Sequence, residues 1–281
     1  MPSPPPFVFR PARPGCPVLV AVAHAGRDYP APLLALARGG RAALEGLEDP
    51  LVDELAAGAV GAGTVGAGLV AARLPRAWVD LNRAPDDLDP AAVRGALRLQ
   101  PTARARSGLG VVPTRLPGAG PLWRRPLSPS ELAARIAGTH APYHRAIAAE
   151  LERIRDAEGA AILLDLHSMP PLPDGTAVIV GDRHGTSCDG ALARAALATA
   201  AAHGLSARAN APYAGGHAVS RHGDPVRAIH ALQVELSRDL YLDGSGRRPG
   251  PGWARTAAFV SALAAALAGA LGTPDWRQAA E

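Results

Sequence analysis

Along this chain, short apolar runs closed by glycine, proline or a polar side chain alternate with longer alanine-rich stretches in which leucine and isoleucine return at helical spacing. Unbroken apolar runs fit strands buried on both faces, and their alternation with helical segments predicts an α/β fold around a largely buried sheet. Strands are expected at residues 18–23, 69–73, 78–81, 161–166, 176–180 and 231–236. One helix is announced by the segment SPSE, where Ser128 caps, Pro129 takes the first helical position and Glu131 closes a capping box. Leu132, Ile136, Ile147, Leu151 and Ile154 keep one face of the continuing helix, and Pro142 predicts a break or kink in its middle. A second helix is expected over 189–203, closed by Gly204, and a third over 254–271 with Val260, Leu263, Leu267 and Leu271 on one stripe. Residues 107–129 carry too much glycine and proline for regular structure, and a loop that long in a compact domain is more often functional than idle.

Bulk composition narrows the field. A chain of 281 residues with 48% apolar content supports one sizeable core, so a single domain over 1–281 is expected. The formal charge of +4 comes entirely from arginine and is scattered, and aromatic residues are only 4%, so neither a phosphate track nor a base-stacking surface is expected. Cys16 and Cys188 stand in unrelated contexts without metal-ribbon spacing, which points to a reducing cytoplasm. Prolines interrupt the first fifteen residues where a signal peptide needs an apolar run. The apolar stretch AAFVSALAAALAGALG is shorter than a bilayer span and reads as a packed helix, so no membrane partner is expected.

Polar residues just beyond buried strands are the first place to look for chemistry, because α/β sheets bind ligands at their carboxyl ends. VLVAVAHAG delivers His24, AWVDLNRAP delivers Asn82 and Arg83, ILLDLHSMP delivers His167, and ALQVELS carries Glu235. Two histidines and a carboxylate from elsewhere make the ligand set of a catalytic zinc site with one open position. Such an ion polarises a carbonyl and lowers the pKa of water to about 7, and a nearby acid can move the proton. Glu235 is the candidate for that acid. Each residue also has a plainer reading: a histidine hydrogen-bonded at a strand end, a salt-bridged Glu235, a surface Arg83. Asp165 reads as structural or as a partner for His167. Ser168 lacks a G-x-S-x-G elbow, and the glycine run at residues 58–68 has neither the strand before it nor the helix after it that a dinucleotide site needs.

Eight segments in order, VAHAGRDYP, DPLVDEL, VDLNRAPDD, APYHRAI, LLDLHSMP, GTSCD, NAPYAGGHAVSRHGDP and ALQVELSRDLYLD, resemble the N-formylglutamate amidohydrolases. The resemblance implies an α/β fold with a mixed, mostly parallel sheet flanked by helices, of the phosphorylase/hydrolase-like, zinc-carboxypeptidase-like kind. It implies metal ligation by His24, His167 and Asp49, with Asp53 as the second choice for the acid. Asn82 and Arg83 would grip the substrate carboxylate, as a planar guanidinium does well, and Arg221 would be a second anchor. The YAGGHAVSRHGDP loop departs from the family's more aromatic, hydroxylated form. The implied activity is hydrolysis of N-formyl-L-glutamate to formate and glutamate, a last step of histidine breakdown, with a divalent metal, most readily Zn2+. Another N-acyl amino acid, a short peptide, or a non-catalytic small-molecule binder are the alternatives, and the proline-rich loop around 111–126 would cover the site.

Overall fold

The computed structural model describes residues 4–60, 65–95, 101–116 and 120–271. In chain order the strands are β1 (Phe7–Arg10), β2 (Val18–Val22), β3 (Gly68–Ala72), β4 (Arg115–Leu116), β5 (Gly120–Pro121), β6 (Ala161–Met169), β7 (Val178–Gly181), β8 (Ala207–Ala209) and β9 (Ile229–Ser237). The helices are α1 (Ala31–Leu36), α2 (Gly40–Glu45), α3 (Val52–Val60), α4 (Ala103–Arg106), α5 (Pro129–Arg135), α6 (Ala141–Glu158), α7 (Gly190–Ala202), α8 (His217–His222) and α9 (Trp253–Leu271). Seven strands form one sheet in the order β1-β3-β2-β6-β9-β7-β8. β2, β6 and β9 run parallel, β7 is antiparallel to β9, and β8 is parallel to β7. This is the α/β fold that the apolar runs predict, with the mixed, mostly parallel sheet flanked by helices that the resemblance implies.

Contacts divide the described residues into two compact units, one of residues 4–8, 23–48 and 71–145, the other of 9–22, 49–70 and 146–271. The second contains the centre of the sheet. Every residue of β2, β6 and β9 is buried, which is why these strands read as unbroken apolar runs. Helices α3 and α9 pack on β2 and β6, α7 packs on α9, β7 and β8, and α8 lies against β6 and β9. By length and composition α9 could cross a bilayer, but Phe259, Val260, Leu263, Ala264, Leu267 and Leu271 make a buried stripe on it, so its apolar side packs inward. In the first unit, the Ser128–Glu131 capping box is formed, and a π-turn at Ile136–His140 joins α5 to α6, ending two residues before Pro142. The expected interruption therefore becomes a one-turn bulge, which absorbs the missing proline N–H without ending the helix.

Several expectations need correction. Residues 78–81 are not a strand but run from one turn into the next: the Trp78 N–H closes on Pro75 O at 2.8 Å and the Arg83 N–H on Asp80 O at 3.3 Å, while Asp80 accepts the Asn82 N–H through Oδ1 at 2.8 Å and sends its own N–H to Val111 O at 2.7 Å. The strand expected to close at 166 runs on through His167 to Met169, since β9 offers partners as far as Ser237. Residues 107–129 do hold a short β4–β5 pair, although 117–119 fall outside the described residues. Of the glycine run, 61–64 fall outside them too, and the rest leads from α3 into β3, a helix-to-strand order opposite to that of a dinucleotide loop.

Candidate functional site

In the unit around the sheet, the β6–β9 register sets Asp165 beside Gln233 and His167 beside Glu235. Partners in a parallel pair project to the same face about 4.8 Å apart, so two residues from each strand form a square of four polar side chains. All four are buried. His167 is held from both sides, its Nε2 on Asp165 Oδ2 at 3.0 Å and its Nδ1 on Asp49 Oδ2 at 2.9 Å. Asp49 arrives on the loop before α3, and its other oxygen accepts from Ser168 Oγ at 3.3 Å and Arg238 Nη2 at 3.2 Å. The buried Tyr241 hydroxyl donates to Pro50 O at 2.9 Å and so pins that loop. Burial disfavours a charged His167, but Asp165, Asp49 and Glu235 outweigh it and raise the ring's pKa well above the ordinary value.

In the other unit, the chain bends at Ala23–His24 after leaving β2. A side chain at Gly26 would meet Leu74 O at 2.1 Å, so only glycine permits the path that follows His24. His24 Nε2 lies 2.7 Å from Asp80 Oδ1, and Arg76 Nε donates to Asp80 Oδ2 at 2.8 Å. Asp80 is fully buried. Burial opposes its ionisation, yet Arg76 and His24 prevail and hold it well below the carboxylate range, so the acid accepts and His24 Nε2–H donates. The same turn presents Asn82 and Arg83. Arg83 Nε donates to Leu109 O at 2.9 Å, His140 Nε2 to Arg83 O at 2.9 Å and His144 Nε2 to Leu81 O at 2.9 Å, which fixes the turn on both sides of Asn82. Burial of the guanidinium lowers the Arg83 pKa, against the pull of Asp80.

The structure thus gathers Asp49, His167 and Glu235 in one unit, and His24, Asn82 and Arg83 around Asp80 in the other. Arg221 is exposed on α8, and Asp53 lies in the first turn of α3. Ser168 supports Asp49, a role the serine-hydrolase reading did not contain. Asp80, Gln233 and Arg238 were missed. For Asp80 a signal existed: VDLN repeats the LDLH arrangement, an acid inside an apolar run two residues before a site residue, and a buried acid requires a partner.

The donor chemistry fits a divalent cation. Each histidine gives Nε2 to a buried carboxylate, Asp80 or Asp165, and this orients Nδ1 as the ligating atom. Asp49 and His167 belong to a His/Asp group able to hold a metal ion. An imidazole, a carboxylate and a fixed ring are what zinc sites of this kind use.

The sequence profile of the N-formylglutamate amidohydrolases matches residues 16–242. N-formylglutamate deformylases of Pseudomonas aeruginosa and Pseudomonas putida are 38% and 36% identical over 174 residues, 59% of this chain. The chain spans about 60% of the length of those relatives. The crystal structure of an N-formylglutamate amidohydrolase from Ralstonia eutropha superposes with a TM-score of 0.86 at 31% identity, covering 94% of this chain and 97% of that one. A gene product of Agrobacterium tumefaciens shares the fold at a TM-score of 0.67 and 20% identity, covering 96% of each chain. With most of its length matched in sequence and nearly all of it in fold, the chain belongs to the N-formylglutamate amidohydrolase family.

Proposed function

We propose that this protein hydrolyses the amide of a small N-acyl amino acid, N-formyl-L-glutamate above others, releasing formate and L-glutamate. The observation that carries the reading is His167 joined to Asp49 at 2.9 Å with Glu235 beside it on the next strand. In this reading His24 joins Asp49 and His167 in holding one divalent ion, zinc by preference. When bound, such an ion supplies Lewis-acid polarisation of the formyl carbonyl and a lowered water pKa. Glu235 takes the proton from the attacking water and delivers it to the glutamate nitrogen as the C–N bond breaks. Arg83 and Asn82 bind the substrate carboxylate, for which a guanidinium held at Nε has its plane already set.

The test combines metal analysis of the purified protein with formate release from formyl, acetyl and peptidyl amino acids. His167→Ala is expected to lose metal and formate release together. Glu235→Gln keeps the metal and loses about 10²- to 10⁴-fold in rate. Formate release that survives His167→Ala sinks the metal reading, and a preference for acetyl or peptidyl substrates moves the assignment to that class.

A further inference from the structure

We propose that Gln233 is a positioning residue that sets the candidate base, Glu235, and the loop entering α8 in register with each other. The inference rests on the reading of Glu235 as the base. Gln233 lies two residues before Glu235 on β9, on the same face and only 5% exposed. Its Oε1 accepts the Gly216 N–H at 2.8 Å, and its Nε2 donates to Glu235 Oε1 at 2.7 Å. The orientation of the amide is chemically forced. A backbone N–H needs an acceptor, so the carbonyl end faces Gly216, and the NH2 end then meets the carboxylate, which only accepts when ionised.

Gly216 is the N-cap of α8, the helix that ends in Arg221 and His222. The loop before it is held by a second, independent contact. A Cβ at Gly181 of β7 would lie 2.7 Å from Ala214 C and 2.7 Å from Gly215 N, so loop backbone lies directly on the strand there. Gly181 is the β7 partner of Gln233 in the antiparallel register. One rung of the sheet therefore holds the loop through a missing side chain on β7 and through an amide on β9. That same amide fixes the carboxylate two residues on. A buried carboxylate held by a hydrogen bond of this kind keeps one rotamer, and the loop cannot shift without disturbing it.

Two variants separate the two halves of the role. Gln233→Leu loses both hydrogen bonds, and kcat is expected to fall about ten- to hundredfold with a rise in KM. Gln233→Glu keeps an acceptor for Gly216 and places an acid against Glu235, so kcat falls while KM stays near wild type. A second readout is independent of catalysis: the Gln233 side-chain amide pair in a 15N–1H spectrum, identified by its loss in Gln233→Glu, exchanges slowly and moves on Glu235→Ala. Wild-type kcat in both variants, or an amide pair that exchanges freely and ignores Glu235→Ala, overturns the proposal. If the wild type releases no formate from any substrate, the functional reading fails alone, and the amide pair still decides whether Gln233 holds Glu235.

Discussion

At the scale of single residues, the site is built from buried polar groups that make sense only in pairs. Asp80 costs several kcal/mol to bury as an isolated ion, and the fold tolerates it because Arg76, His24 and the Asn82 N–H surround it. The same contact fixes the His24 ring. Asp80→Asn retains the size but weakens the orientation of Nε2–H, and metal affinity measured by chelator competition is expected to fall about 10- to 100-fold. An unchanged affinity would separate Asp80 from the metal altogether. Of these residues His24, His167 and Glu235 were legible, since a polar side chain at the end of an apolar run needs a reason. The link from Gln233 to the loop before α8 was not legible, because Gly216 lies 17 residues away and nothing in the local spacing refers to it.

At the scale of elements, local chemistry was readable wherever it closes within a few residues. The capping box of α5 depends on Ser128 and Glu131 alone, and it forms as written. Asp189 caps α7 by accepting the Ala191 N–H, and Gly204 takes the positive φ of +64° after it. Residues 78–81 misled because Trp and Val favour strands, while the acceptor of the Asp80 N–H, Val111 O, lies some thirty residues on. β8 and the β1 edge were missed for a related reason: strands of three and four residues that stay part-exposed carry no long buried run. Gly181 shows how such long-range fit constrains an element. Gly181→Ala sets a methyl against loop backbone at 2.7 Å and is expected to cost about 1–3 kcal/mol in urea unfolding, with displacement of residues 213–216. Full stability in that variant would show that the loop yields freely.

At the scale of the whole molecule, stability should carry a pH signature from buried neutral groups. His222 is 8% exposed, and burial, then Arg221 and His217, push its pKa down to about 3 from an ordinary 6.5. The unfolded chain therefore binds a proton that the folded chain refuses between those values. Stability is fully present above pH 6.5 and is lost as pH falls toward 3, at up to about 1.4 kcal/mol per pH unit from this group. Urea midpoints measured from pH 7 to pH 4 are expected to fall more steeply for wild type than for His222→Gln, and parallel slopes would remove His222 as a cause. The sequence by itself determined the α/β class, the buried central strands, the capped helices and the histidines and acids at the strand ends, because periodicity, caps and strand-end polarity are local properties. Only the tertiary structure decided that Asp49 meets His167, that Asp80 orients His24 and that Gln233 reaches Gly216. The His24–Asp80 and His167–Asp49 pairings join side chains 56 and 118 residues apart, and such partners are chosen by where the backbone brings them, whereas Asp165–His167 and Gln233–Glu235 lie two residues apart on one strand.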